Sequence, residues 1–216
     1  MSPLVLGLLL WGGPDPDTLR VRLVDGLPPP ARAAAALGQP MLRIGADRGG
    51  VWLVRAGDTV ALYAAIRDAE PSPHDELVVS LDVSGDGGPA PGHDDFQWRL
   101  RRVLDSSVVN RGRAGRWTPP RDDPDWRLGA EREGGGWSVE AAETEEGWCV
   151  ALRLDPAFLA GEEGRPPALA LRLYDGKPGG WHAWPAARNG AHPTSVEQVP
   201  SLWAPVESRG PGAGPR

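Results

Sequence analysis

Within DVSGDGGPAPGHDDFQWRL, residues 82–100, four carboxylates crowd one connection: Asp82, Asp86, Asp94 and Asp95. Calcium, which takes roughly six to eight oxygen ligands, could be held by these side chains together with carbonyls of the flexible Gly-Asp-Gly-Gly turn. Asp and Gly are equally the ordinary residues of a solvated hairpin, so the composition alone leaves both readings open. The run is no EF-hand loop: no second Asp stands two residues after Asp82, and the terminal bidentate Glu is missing. A catalytic carboxylate pair would need a dry pocket that raises one pKa, and nothing in the sequence forces one. His93 adjoins the cluster, either as a further ligand or as a solvated loop residue.

Tryptophan supplies the second kind of chemistry. Trp117 and Trp126 fall where strand periodicity lapses, amid Arg116, Arg121, Asp122, Asp123 and Asp125. Trp181 and Trp184 belong to GGWHAWPAARNGAH, with Arg188 and Asn189 close behind. An exposed indole beside planar polar side chains suits a ligand with both apolar and polar surfaces. The same rings could instead pin long loops down as satellite clusters, and both readings stand at this point. Signatures of common enzymes are missing: there is no G-x-S-x-G, H-E-x-x-H, P-loop or dinucleotide fingerprint. His74, His93, His182 and His192 lack metal-ligand spacing. Glu140, Glu143, Glu145 and Glu146 read as a wet face.

Short strands must position these residues. Gly 29 and Pro 24 in 216 residues favour many strands joined by ordered loops. Val60, Leu62, Ala64 and Ile66 alternate with Ala61, Tyr63, Ala65 and Arg67; Leu77, Val79, Leu81 and Val83 alternate with Glu76, Val78, Ser80 and Asp82. Phe96, Trp98 and Leu100 share the next inward face, which makes Trp98 a core residue, with Gln97, Arg99 and Arg101 opposite. GWSVEAAE, GWCVALRL and ALALRLYDG repeat the period near residues 137, 148 and 169. They place Trp137 and Trp148 in strands as structural residues, with the direction of Trp148 left open; Trp203 is strand-placed too, and Trp52 reads as a hairpin residue. One short helix is expected within Pro28–Leu37, stopped by Gly38. The pattern dissolves between Asp105 and Gly136, where a long functional or mobile insertion is expected. The fold class is therefore all-β: an antiparallel sandwich or jelly roll with long loops.

Net charge is −6 and no basic stripe is present, which argues against nucleic acid as a partner. Cys149 is alone, so neither an intramolecular disulfide nor a multi-cysteine zinc site can form, and its neighbours make it a structural thiol. The apolar run Pro3–Trp11 is too short to span a bilayer. It reads as a first strand or as the core of an export signal, although a basic leader and an A-x-A cleavage site are missing. Domain limits follow as 1–18 for a signal or extension, 19–206 for the sandwich, and 207–216 for a disordered tail.

Several of these segments stand in a familiar order. VALYAAIRDAEPSPHDELVVSLD, the Asp95-Phe96-Gln97-Trp98-Arg99 strand, GWSVEAAETEEGWCVALRLDPAFLAG and the closing VPSLWAPV resemble family 9 carbohydrate-binding modules. The resemblance covers about two-thirds of the chain. It implies a sandwich that holds sugar ends between tryptophans, with structural calcium in some members and secreted glycanases as frequent company. Both clamp tryptophans are missing here: Pro73 and His74 stand where one is expected, and HPTSVEQ carries no other. The expectation is a non-catalytic, exported accessory that binds carbohydrate through its loop tryptophans. A structural or interaction domain that lost the sugar site is the alternative. Related sandwiches of the cytochrome type bind haem through Met or His; here Met41 is the one internal methionine and no C-x-x-C-H exists.

Overall fold

Period-two alternation becomes strand wherever it is sustained, because one face of each strand can then be buried while the backbone pairs laterally. The computed structural model describes residues 18–45, 48–102, 108–119, 136–162, 164–176, 179–186 and 192–207. In chain order the strands are β1 (Leu19–Arg20), β2 (Arg22–Leu23), β3 (Leu42–Ile44), β4 (Gly49–Ala56), β5 (Thr59–Arg67), β6 (Glu76–Asp82) and β7 (Asp95–Arg101). They continue as β8 (Val108–Arg113), β9 (Arg116–Thr118), β10 (Trp137–Thr144), β11 (Gly147–Leu154), β12 (Ala168–Asp175), β13 (Gly180–Trp184) and β14 (Ala204–Glu207). The helical pieces are a 3-10 turn at Pro30–Arg32 running into α1 (Ala33–Leu37), a second 3-10 turn at Pro156–Leu159, α2 (Pro193–Val196), and a last 3-10 turn at Pro200–Leu202.

The strands form two sheets. One has the order β1-β14-β12-β6-β7-β8-β9, with β13 pairing beside β14 along the same edge of β12; the other runs β10-β11-β5-β4-β2, with β3 added against β4. Their inner faces interlock as one core around Leu62, Leu77, Leu81, Trp98, Trp148, Leu152, Leu171 and Leu173. Trp98 lies at its centre, stacked on Phe96 at 5.7 Å and meeting Trp137 and Phe158 edge-on. Such offset and edge-to-face arrangements suit the ring quadrupole.

The sandwich departs from a purely antiparallel one. β1 lies parallel to β14 and β2 parallel to β4, so the N-terminal segment crosses from one sheet to the other within five residues, Leu19 to Leu23. The outward face of β5 is also dry. Ala61 and Tyr63 join Trp52, Val54, Cys149 and Ala151 in a second cluster roofed by Ala33 and Leu37 of α1. This explains the alanine run, whose small side chains let the short helix approach the sheet. Trp52 is thus a packed β4 residue, its indole donating to the carbonyls of Gly38 and Gln39. Cys149 is buried in the same layer, and desolvation pushes its thiol up to about 12, leaving it inert. A groove of about 940 Å³ lies on this side and is lined by alanines and glycines over Trp52 and Cys149.

Part of the expected 105–136 insertion is ordered as the β8–β9 hairpin, which extends the first sheet. Gly112 makes this edge fit: a Cβ there would stand 2.1 Å from the carbonyl oxygen of Gly92. The acidic connection is therefore packed directly onto β8.

Candidate functional site

The outward face of the eight-stranded sheet collects most of the polar side chains that burial leaves without water. Strand register arranges them in rows. Trp181, Tyr174, Glu76 and Arg101 lie side by side on β13, β12, β6 and β7, while Ala183, Arg172, Val78 and Arg99 form the adjacent row. From Trp181 to Arg101 is three strand spacings, about 14 Å, with Tyr174 and Glu76 between them.

Glu76 is the hub. Its Oε1 accepts from Arg99 Nη2 at 2.9 Å and from Arg172 Nη2 at 3.2 Å, and its Oε2 accepts from Arg101 Nε at 3.2 Å. Burial pushes its pKa up, but the arginine hydrogen bonds and charges outweigh this and hold the carboxyl below its ordinary value. Arg172 is itself buried and also donates through Nε to Glu197. Its guanidinium lies 4.4 Å from the centre of the Trp181 ring, in a cation–π contact. Tyr174 braces the indole at 4.1 Å, and His192 meets its edge at 6.1 Å. Trp181 remains 36% exposed, so an aromatic platform stands beside a fixed cluster of charged donors.

The other tryptophans behave differently. Trp184 pairs opposite Leu171 and turns to the interior, half-buried against the core. Trp117, on β9, stacks nearly parallel on Trp203 at 6.2 Å and donates to the carbonyl of Glu197. Trp203 precedes β14 rather than lying within it, and donates to the carbonyl of Val196. With Val196 and Ala170 this pair makes a satellite cluster that straps the 192–203 segment across the sheet. Trp126, Arg188 and Asn189 lie outside the described residues. Of the expected ligand residues that the structure describes, Trp181 is the exposed one on the polar face, where Trp117 is packed into the strap; its partners Glu76, Arg99, Arg101 and Arg172 come from strands the sequence marked only as outward positions. Buried and without partners among the described residues, Arg99 Nε, Arg172 Nη1, Gln97 Nε2 and Ser80 Oγ sit on this same face.

At the far end of the face, ligand oxygens of Asp82, Asp86 and Asp94 lie within 4.8 Å of one another. Turn amides already serve this cluster: Asp82 accepts from Gly85 and Gly87 N–H, Asp94 from Ser84 and Asp95 from Gly92. Asp95 Oδ1 is buried with no donor. Desolvation, opposed by the Gly92 amide and reinforced by Asp82 and its neighbours, raises Asp95 to about 7. An orphaned carboxylate oxygen beside three converging carboxylates fits a hard divalent cation. His93 is exposed, and its carbonyl, not its ring, is engaged by Arg111. A second trio, Asp68, Asp75 and Asp175, has its charge met by Arg102 and Arg48. Met41, the residue weighed for haem, packs on the core with its sulfur against the Leu53 amide.

No family model and no curated protein matches the sequence. Among solved structures, a family 9 carbohydrate-binding module from Caldicellulosiruptor kristjanssonii in complex with cellotriose aligns with a TM-score of 0.55 at 12% identity, covering 92% of this chain and 98% of that one. A family 9 module from the same organism, in complex with glucose, aligns at 0.54 and 13% identity over 92% and 100% of the two chains. At these identities the likeness is one of fold: the chain has the β-sandwich of family 9 carbohydrate-binding modules.

Proposed function

We propose that this protein is a non-catalytic carbohydrate-binding domain whose site is the outer face of the eight-stranded sheet around Trp181, Arg172 and Glu76. The observation that carries the reading is the exposed indole of Trp181, held by Tyr174 and Arg172 beside buried charged groups. An indole packs on the C–H face of a pyranose while neighbouring polar groups bond its hydroxyls. The solved neighbours of the same fold are carbohydrate-binding modules in complex with sugars, which supports the reading. Affinity electrophoresis of wild type and Trp181→Ala over a panel of soluble polysaccharides tests it. Retention of the wild type that Trp181→Ala loses is the expected result; migration unaffected by every polysaccharide, with native circular dichroism, would overturn it.

The Trp117–Trp203 strap favours a second reading, in which the face is covered and the domain serves interaction or structure instead. The same absence of retention would favour it. We further propose structural calcium at Asp82, Asp86 and Asp94, with Asp95 completing the set, and export directed by the apolar run Pro3–Trp11. Fractionation of cells expressing the tagged chain tests the latter.

A further inference from the structure

His192 is the point where the 192–203 strap meets Trp181. It is the N-cap of α2, and its imidazole Nδ1 accepts the Thr194 N–H at 3.3 Å while lying 2.8 Å from Thr194 Oγ1. Both contacts are served at once only if Nδ1 is bare, since a backbone amide N–H can donate but not accept. The neutral ring therefore carries its proton on Nε2. The backbone is tied as well: the His192 carbonyl accepts from the Ser195 amide at 2.9 Å and from Ser195 Oγ at 2.6 Å. The cap thus decides which nitrogen donates and holds the ring in place.

This donor is accessible. The imidazole is exposed, and its Nε2 has no hydrogen-bond partner among the described residues. Its ring centre lies 6.1 Å from that of Trp181 with the planes inclined at 68°, and the indole is itself 36% exposed. Glu76 and Arg172, by contrast, are taken up with each other and with Arg99 and Glu197. A saccharide resting its C–H face against an indole needs a polar group from the side to fix its orientation. Because tautomer and ring are set before the ligand arrives, little side-chain ordering is left to oppose binding. We infer that His192 is a specificity contact of this site, its Nε2–H donating to a hydroxyl or ring oxygen of the saccharide held against Trp181. The inference rests on the proposed carbohydrate site and goes beyond it by assigning the donor that orients the sugar.

Affinity electrophoresis of the full chain over hydroxyethylcellulose, xylan and laminarin, with melting curves on the same preparations, tests it. His192→Asn keeps an oxygen that can cap Thr194, asparagine being among the best N-cap residues, but places nothing where Nε2 stands. It should lose about threefold to tenfold in affinity, the worth of one neutral hydrogen bond, with an unchanged melting midpoint. His192→Gln carries its side-chain amide about as far out as Nε2 and is the poorer cap. It should regain most of the affinity while melting no higher than His192→Asn, so that binding separates from stability. Wild-type retention that Trp181→Ala loses and His192→Asn keeps in full would overturn the histidine contact and leave the carbohydrate reading standing. A His192→Gln variant that binds no better than His192→Asn would also overturn the contact. No retention of the wild type on any of these polysaccharides, with native circular dichroism, would overturn the carbohydrate reading and the contact with it.

Discussion

Trp181 and Glu76 do opposite jobs at the same place. The indole is exposed and braced, so removing it should cost binding rather than folding. Trp181→Ala is expected to lower sugar affinity at least about tenfold while shifting stability by no more than about 1 kcal/mol; melting curves and affinity gels on the same preparation check both halves. Glu76 is different because its charge compensates three guanidiniums in a nearly dry setting. Glu76→Gln keeps the shape but takes from three guanidiniums the carboxylate they share, leaving buried Arg172 with Glu197 alone, a loss of about 3 kcal/mol or more. The pH dependence has a definite sign. The folded carboxyl titrates below its ordinary value, so its stabilisation is complete above the unfolded pKa near 4.5 and fades as pH falls through the lower folded value. Acid unfolding of the wild type should therefore show a slope below pH 4.5 that Glu76→Gln lacks in part.

The acidic hairpin between β6 and β7 is the element whose behaviour depends most on its surroundings. Its carboxylates are held by turn amides and pressed onto β8 through Gly112. In chelator, Asp95 keeps a proton up to about pH 7. Because the folded pKa is raised, ionising Asp95 opposes folding, and stability should fall between about pH 4 and pH 7 by as much as about 4 kcal/mol. Asp95→Asn should flatten that decline, and millimolar calcium should reverse it in the wild type by favouring the ionised form. Thermal melts across pH, with calcium or with chelator, separate these outcomes; a calcium-independent midpoint would leave the hairpin as a purely amide-capped turn.

At the scale of the whole molecule, Arg102 joins the two sheets. Its guanidinium binds Asp68 just after β5, Asp75 just before β6 and Glu143 on β10. Asp68 and Asp75 sit close enough to share a proton. Desolvation and the Asp75 hydrogen bond raise Asp68, while backbone amides, Asp68 and Arg102 pull Asp75 down against its own burial. Removing the cation leaves two buried carboxyls facing each other. Arg102→Ala is expected to destabilise by about 3 to 5 kcal/mol, read from denaturant unfolding. The mutual repulsion left behind should make the variant more stable at pH 5 than at pH 8.

Strand content, the burial of Trp98 and the short helix ahead of Gly38 were legible from the chain itself, whereas the direction of Trp148 was not. Each depends on local period or on a stop signal, and a one-residue slip would turn a whole face inside out. The family resemblance was legible for the same reason, since it rests on the order of strands and turns. The Trp181–Glu76 site was only half legible. Trp181 stood out as an aromatic without periodicity to explain it, but Glu76, Arg99, Arg101 and Arg172 looked like ordinary outward residues of three separate strands. Only register brings them into adjacent rows, because hydrogen-bonded pairing between β13, β12, β6 and β7 decides which side chains are neighbours. The same is true of Trp117 and Trp184, which composition could not tell from Trp181. Side-chain direction on a strand follows from the sequence, but which outward face is covered follows from what packs across it. Here α2 and its flanking turns lie over part of the face, with His192 against the edge of Trp181, and still leave that indole 36% exposed.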